Sequence, residues 1–253
     1  MRRRVSDVAC VFRIHLARLR AEAGPFVLAS LIFPGVMFMF ANAVSSMAAA
    51  SADPQSRVRL LAGSVVFSLS LTAVTWLGYL LLENRFTGRL KLFATLPLAP
   101  SSYVLGVVLF ALAQGAVGTV SLLSIARIMG VHTAITAPGG VVLLGGIVIL
   151  TVLCVCGIAV VIAAHARSFS EGSLLTDALG AGLVFLAPVY CAPEALPRIV
   201  QLMSRVFPTT YAARGVRTVL AGGSDVGVEL AILAGMAAIT LAAGFGSIRW
   251  RED

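Results

Sequence analysis

Apolar runs of membrane-crossing length recur along this chain, at about 25–47, 60–82, 103–125, 141–164, 174–189 and 228–248. A bilayer core about 30 Å thick takes roughly 20 apolar residues of helix per crossing. Of the 253 residues, 59% are apolar and only 12% are charged. A soluble core cannot use that much apolar surface, because most of it would face water. The pattern predicts an all-α membrane protein with six transmembrane helices in one domain, 1–253. The fifth run is short, and a long segment, 190–227, follows it without a full span.

The formal charge is +8, and Lys91 is the single lysine among 19 basic residues. The arginines lie in short segments between apolar runs, where positive charge orients a membrane protein. That placement argues against nucleic acid as a partner. With the N-terminus inside, the inner segments hold twelve basic residues and the outer ones seven. Both termini are therefore expected in the cytoplasm, in a cell membrane of bacterial type. Residues 5–22 are not a span. Val5, Val8, Phe12, Leu16 and Leu19 recur at helical spacing, with Arg13, Arg18 and Arg20 off that stripe. This predicts an amphipathic helix lying in the membrane interface, its arginines toward anionic lipids. About twenty mixed residues precede the first apolar run, which excludes a signal-peptide pattern. Pro34 is expected to kink the first span. Cys154 and Cys156 sit inside the fourth run and Cys10 and Cys191 outside the runs. They read as packing residues with no disulfide or zinc pattern.

No glycine-rich loop ending in Gly-Lys-Ser/Thr is present, so ATP binding by that mechanism is excluded for this chain. No paired His, Ser/His/Asp set or carboxylate cluster points to catalysis or to a metal. Work against a gradient would need a partner or an ion. Asp177 is the acidic candidate within a span, about one turn into the fifth, with Thr176 or backbone groups as expected partners. The segment after that span is punctuated by Pro188, Pro193, Pro197 and Pro208. Two short amphipathic helices are expected, about 197–207 and 209–221, the second ending at Gly222-Gly223. Neither can span. They are expected to dip into the outer leaflet or to pack on the outer ends of the bundle.

Two stretches carry a resemblance. Between the second and third spans lie Glu83, Gly88, Leu90, Leu92 and Pro97, and in the outer segment lie Pro193, Leu196-Pro197, Pro208-Thr-Thr-Tyr211 and Arg214. These resemble the permease subunits of type-2 ABC exporters, the daunorubicin-resistance-like drug and lipid exporters among them. The chain departs from the family's usual pattern at Arg89 and Lys91, where Thr and an acidic residue are common. The resemblance implies two permease copies, or one copy with a related permease, around a central path. It also implies two copies of a cytoplasmic ATPase subunit, which binds the ATP and magnesium. The N-terminal helix with Arg13, and residues 83–97 with Glu83, Arg85, Gly88, Arg89, Lys91 and Pro97, would meet that ATPase. The helices at 197–221, with Pro193, Leu196, Pro197, Pro208, Tyr211 and Arg214, would form an outer gate.

Arg85, Arg89 and Lys91 make a basic rim suited to an acidic partner surface. Glu83 can pair with a neighbouring arginine. An amphipathic cargo in contact with membrane lipids is expected, because the runs lack fixed charges for an ionic one. Phe33, Met37, Phe38, Phe67, Asp177 and Phe185 are the candidate path residues, with packing or lipid contact as the plainer role for any one of them. The rival reading is an ion-coupled secondary transporter that uses Asp177.

Overall fold

A computed structural model describes residues 2–21, 23–47, 54–95, 99–135, 138–185, 187–190 and 196–247. Among them every regular element is helical. In chain order they are α1 (Arg2–Ala21), α2 (Ala23–Val27), a π-helical segment (Leu28–Ile32), α3 (Phe33–Met47) and α4 (Pro54–Ser70). A second π-helical segment (Leu71–Trp76) leads to α5 (Leu77–Phe86), α6 (Arg89–Thr95), α7 (Pro100–Ile128) and α8 (Pro138–His165). The chain continues through α9 (Phe169–Phe185), α10 (Arg198–Ser204), α11 (Pro208–Leu220) and α12 (Gly227–Ser247).

Four helices are long and apolar enough to cross a membrane: Gln55–Phe86, Pro100–Ile128, Pro138–His165 and Gly227–Ser247. The first apolar run contributes the shorter helical stretch Ser30–Val44, and α9 has 17 residues. The Gln55–Phe86 helix, at 32 residues, is about 48 Å long at 1.5 Å per residue and outruns the hydrocarbon core. It therefore carries Glu83 and Arg85 on its last turn. The sequence pattern had ended the span at 82 and left these two residues in a separate segment.

Pro34 acts on the backbone just before it. Proline has no N–H and crowds the carbonyl four residues earlier. Here Leu28–Ile32 widens into a π-turn, with the Phe33 N–H bonded to Leu28 O. The expected kink is thus a π-turn, a form often found at functional positions.

Small residues set the closest helix contacts, as in membrane bundles generally. A Cβ on Gly157 of α8 would lie 2.5 Å from the Thr240 carbonyl carbon of α12. Gly106 of α7 would meet Val11 of α1 at 2.6 Å, and Gly63 of α4 would meet Tyr190 at 2.7 Å. Cys154 and Cys156 are buried in α8, whereas Cys10 on α1 is exposed, and Cys191 lies outside the described residues.

The turn from α8 to α9 is capped from within. The Glu171 N–H donates to Ser168 Oγ, and the Arg167 N–H donates to Glu171 Oε2. A Ser followed three residues later by Glu satisfies the free N–H groups of a helix start.

Candidate functional site

The residues singled out by sequence fall at two opposite ends of the bundle. One end collects α1, the last turn of α5, α6, the first turns of α7 and the α8–α9 turn. Glu83 is its centre. Its carboxylate accepts from Arg18 Nη2 of α1 and from Arg89 Nη1 of α6, each at 3.0 Å. One carboxylate thereby ties three helices together. Glu83 does pair with arginine, and Arg18 joins it from across the chain, which spacing alone does not show.

Arg85 does something other than line a docking rim. Its Nη1 donates to the carbonyls of Ala163, Ala164 and Ala166, at 2.8, 2.9 and 2.9 Å. The last carbonyls of a helix have no partner inside it, and a cation suits that end. Arg85 therefore clamps the C-terminus of α8 to the end of α5. Its guanidinium also stands 5.3 Å from the Phe86 ring.

Between α5 and α6 the chain turns at Gly88, whose φ of 76° is a left-handed value suited to glycine. The Thr87 hydroxyl and N–H both bond to Glu83 O, at 2.6 and 2.9 Å. On α6, Phe93 packs 5.3 Å from the Tyr103 ring, and the buried Asn84 donates to Tyr103 Oη at 2.8 Å. That anchor leaves Arg89, Lys91 and Leu92 exposed, with Leu92 at 67%. Arg13 is exposed on α1. Pro97 lies outside the described residues.

α1 packs on α7, through a face that keeps Val8, Phe12 and Leu19 of the expected stripe but turns Leu16 out. Val11 and His15 are buried, whereas Leu16 is 40% exposed. Val8, Val11, Phe12, His15 and Leu19 follow the i, i+3, i+4, i+7 rule, and Gly106 admits Val11 where any larger residue would clash. Phe12 and His15 both stack near Phe110, at 6.4 and 5.8 Å. Burial first, and then the neighbouring Arg18 guanidinium, lower the His15 pKa to about 4. The ring is neutral at neutral pH.

The opposite end collects residues 187–190 and 196–226. Pro208 starts α11, as its fixed φ favours, and is buried. Pro197 caps α10 and is exposed, and Leu196 O accepts from Gln201 Nε2 at 2.8 Å. Tyr211 Oη donates to Arg205 O at 2.9 Å. Arg214 is exposed, and Pro193 lies outside the described residues. α11 buries Ala212, Ala213, Val216 and Val219 and packs against α8, α4 and α12. α11 thus rests on the other helices of the bundle. Gly222, with φ 88°, ends the helix as expected.

Four bonds here have no signal in the sequence. Thr209 Oγ1 donates to Leu183 O, Thr210 Oγ1 to Ser204 O, and Arg217 reaches the carbonyls of Pro188 and Val189. Arg217 was visible only as one more arginine of the outer segment.

The candidate path residues do not gather at one place. Phe38 is fully buried, and Phe67 packs 5.7 Å from Phe33. Met37 is half-buried. Phe185 is 74% exposed on α9, and Asp177 is exposed on the same helix. The partner of Asp177 is Tyr79, whose Oη donates to it at 2.7 Å. Thr176 instead donates to Gly172 O.

Residues 8–221 match the family model described as ABC-2 type transporter. No curated protein matches the sequence. The family match runs from within α1 to the end of α11, so it takes in both ends of the bundle and all but the last described helix. The chain accordingly belongs to the ABC-2 type transporter family, as a multi-pass membrane component of a transporter.

Proposed function

We propose that this chain is the permease subunit of an ATP-driven exporter for an amphipathic drug, lipid or similar compound. The observation that carries the reading is the Glu83 junction, where α1 and α6 are tied to the end of the Gln55–Phe86 helix. A force applied to α1 or α6 reaches a membrane-length helix directly. The exposed Arg89, Lys91 and Leu92 on α6, with Arg13 on α1, offer a basic and apolar surface to a cytoplasmic ATPase. Complementary charge speeds and orients such docking more than it tightens it.

In this reading the chain crosses the membrane six times, α2–α3 and α9 adding two crossings to the four long helices. Both termini are cytoplasmic. Two permease chains, either copies of this one or this one with a related permease, enclose the path, and two ATPase subunits bind ATP and magnesium. Nucleotide drives the cycle by binding better to one arrangement of the bundle than to the other. α10 and α11 serve as the outer gate. Daunorubicin-like compounds are one cargo class that suits an apolar path.

The test is to express the chain with the ATPase encoded beside its gene, purify by a tag on this chain, and measure ATP hydrolysis. The reading expects a co-purifying ATPase whose rate rises with cargo and falls when Glu83 is neutralised. Transport that persists without any nucleotide-binding partner would overturn it.

A further inference from the structure

A cleft of about 80 Å³ opens beside α1, between α2, the second π-helical segment, α5 and α7. None of the candidate path residues lines it. Phe26, Trp76, Leu80 and Phe110 form its walls, and Arg18 and Glu83 stand together at one side. Gln114 also lines it and is 3% exposed.

Gln114 is the built polar group of this cleft. Its Nε2 donates to Ser30 Oγ at 2.7 Å, a hydroxyl held on the first π-helical segment. Its Oε1 receives no hydrogen bond from any described residue. Gln114 thus sets a polar amide into a cleft whose lining is otherwise mostly apolar.

Its charge is balanced. Arg18 and Glu83, the two charged residues of the lining, pair at 3.0 Å, with Arg89 on the other oxygen of Glu83 from outside the lining, and the buried His15 alongside is neutral at ordinary pH. A charged ligand would lose its hydration here without gaining a free counter-ion. The space suits roughly six groups the size of a water or a methylene, enough for a hydroxylated head and the first carbons of a chain.

We infer that this cleft binds a neutral, hydroxyl-bearing glycerolipid of the bilayer, the hydroxyl donating to Gln114 Oε1 and the chain lying along Phe26, Trp76, Leu80 and Phe110. The site stands apart from the proposed path and does not depend on the exporter reading.

Trp76 reports on it directly, since Trp250 is the chain's other tryptophan. The full-length Trp250→Phe protein in lipid nanodiscs is titrated with monoacylglycerol carrying a dibrominated stearoyl chain, a contact quencher. The expected result is saturable quenching of Trp76, reversed by excess unbrominated monoolein. The ionised dibrominated fatty acid and dibrominated phosphatidylglycerol should bind at least about tenfold more weakly. Gln114→Leu should weaken the monoacylglycerol about tenfold, and Ala111→Phe, which fills the cleft, should abolish saturation. Quenching that rises linearly and is not displaced by monoolein overturns the inference, and so does equal binding of the ionised acid. Displacement is measured without altering the cleft, so it decides the matter even where a cleft variant fails to fold.

Discussion

At one end of the bundle Glu83 holds Arg18 and Arg89 through partly exposed ion pairs. At the other, Arg217, Thr209 and Thr210 donate to the backbone carbonyls of Pro188, Val189, Leu183 and Ser204. The first kind of contact is worth about 0–1 kcal/mol per pair and weakens with salt. The second costs about 1–3 kcal/mol for each buried carbonyl left bare. The α11 end is therefore built to keep its shape, whereas the α1 end can be remade at little cost. Under the proposed function the α1 end would need that second property, because it would have to answer a partner. Arg85 qualifies the contrast, since it brings a carbonyl clamp of the α11 kind to the α1 end.

The contrast breaks most visibly at Arg217. Arg217→Met should lower stability by about 4 kcal/mol, since two carbonyls lose a charged donor. The thermal midpoint in detergent would fall by roughly 8–16 °C for a chain of this size. A shift no larger than that of Glu83→Gln would erase the difference between the ends.

Next in size is a pH effect at the α1 end. A histidine whose folded pKa lies near 4 rather than 6.5 binds its proton more readily when unfolded. Stability is complete above pH 6.5 and is lost as pH falls from there toward 4, by roughly 3 kcal/mol. His15→Leu should flatten that slope in a series of melts, and an unchanged slope would remove His15 as its source.

Thr209→Val should cost about 1–2 kcal/mol by baring Leu183 O, read by the same melts. Equal stability of the variant would mean that this carbonyl finds another donor.

Glu83→Gln should cost less than about 1 kcal/mol, and its small effect should vanish in high salt. Stimulated ATP hydrolysis in the co-purified complex should nonetheless fall several-fold. A large loss of stability with hydrolysis intact would reverse the roles given to the two ends. Asp177→Asn should leave ATP-driven transport within about twofold, because its partner Tyr79 can donate equally to an amide oxygen. Complete loss would revive the ion-coupled reading.

Much of this architecture is legible in one dimension. Apolar run length marks the four long helices, proline and glycine mark the limits of α11, and the spacing of Glu83, Gly88 and Leu90 marks a turn between helices. These signals are local, because helix length, caps and turns depend on residues within a few positions of each other. Tertiary structure alone decided the rest. The burial of His15 rather than Leu16 follows from Gly106, some ninety residues away, which lets Val11 approach. Arg85 reads as part of a basic docking rim until the carbonyls of Ala163, Ala164 and Ala166, at and just past the end of α8, arrive beside it. Gln114 is joined to Ser30 across eighty-four positions and set beside a cleft by the tertiary fold alone. A sequence states which groups a chain carries. Which of them find partners depends on contacts between distant segments, and there the free energy of burial makes the choice.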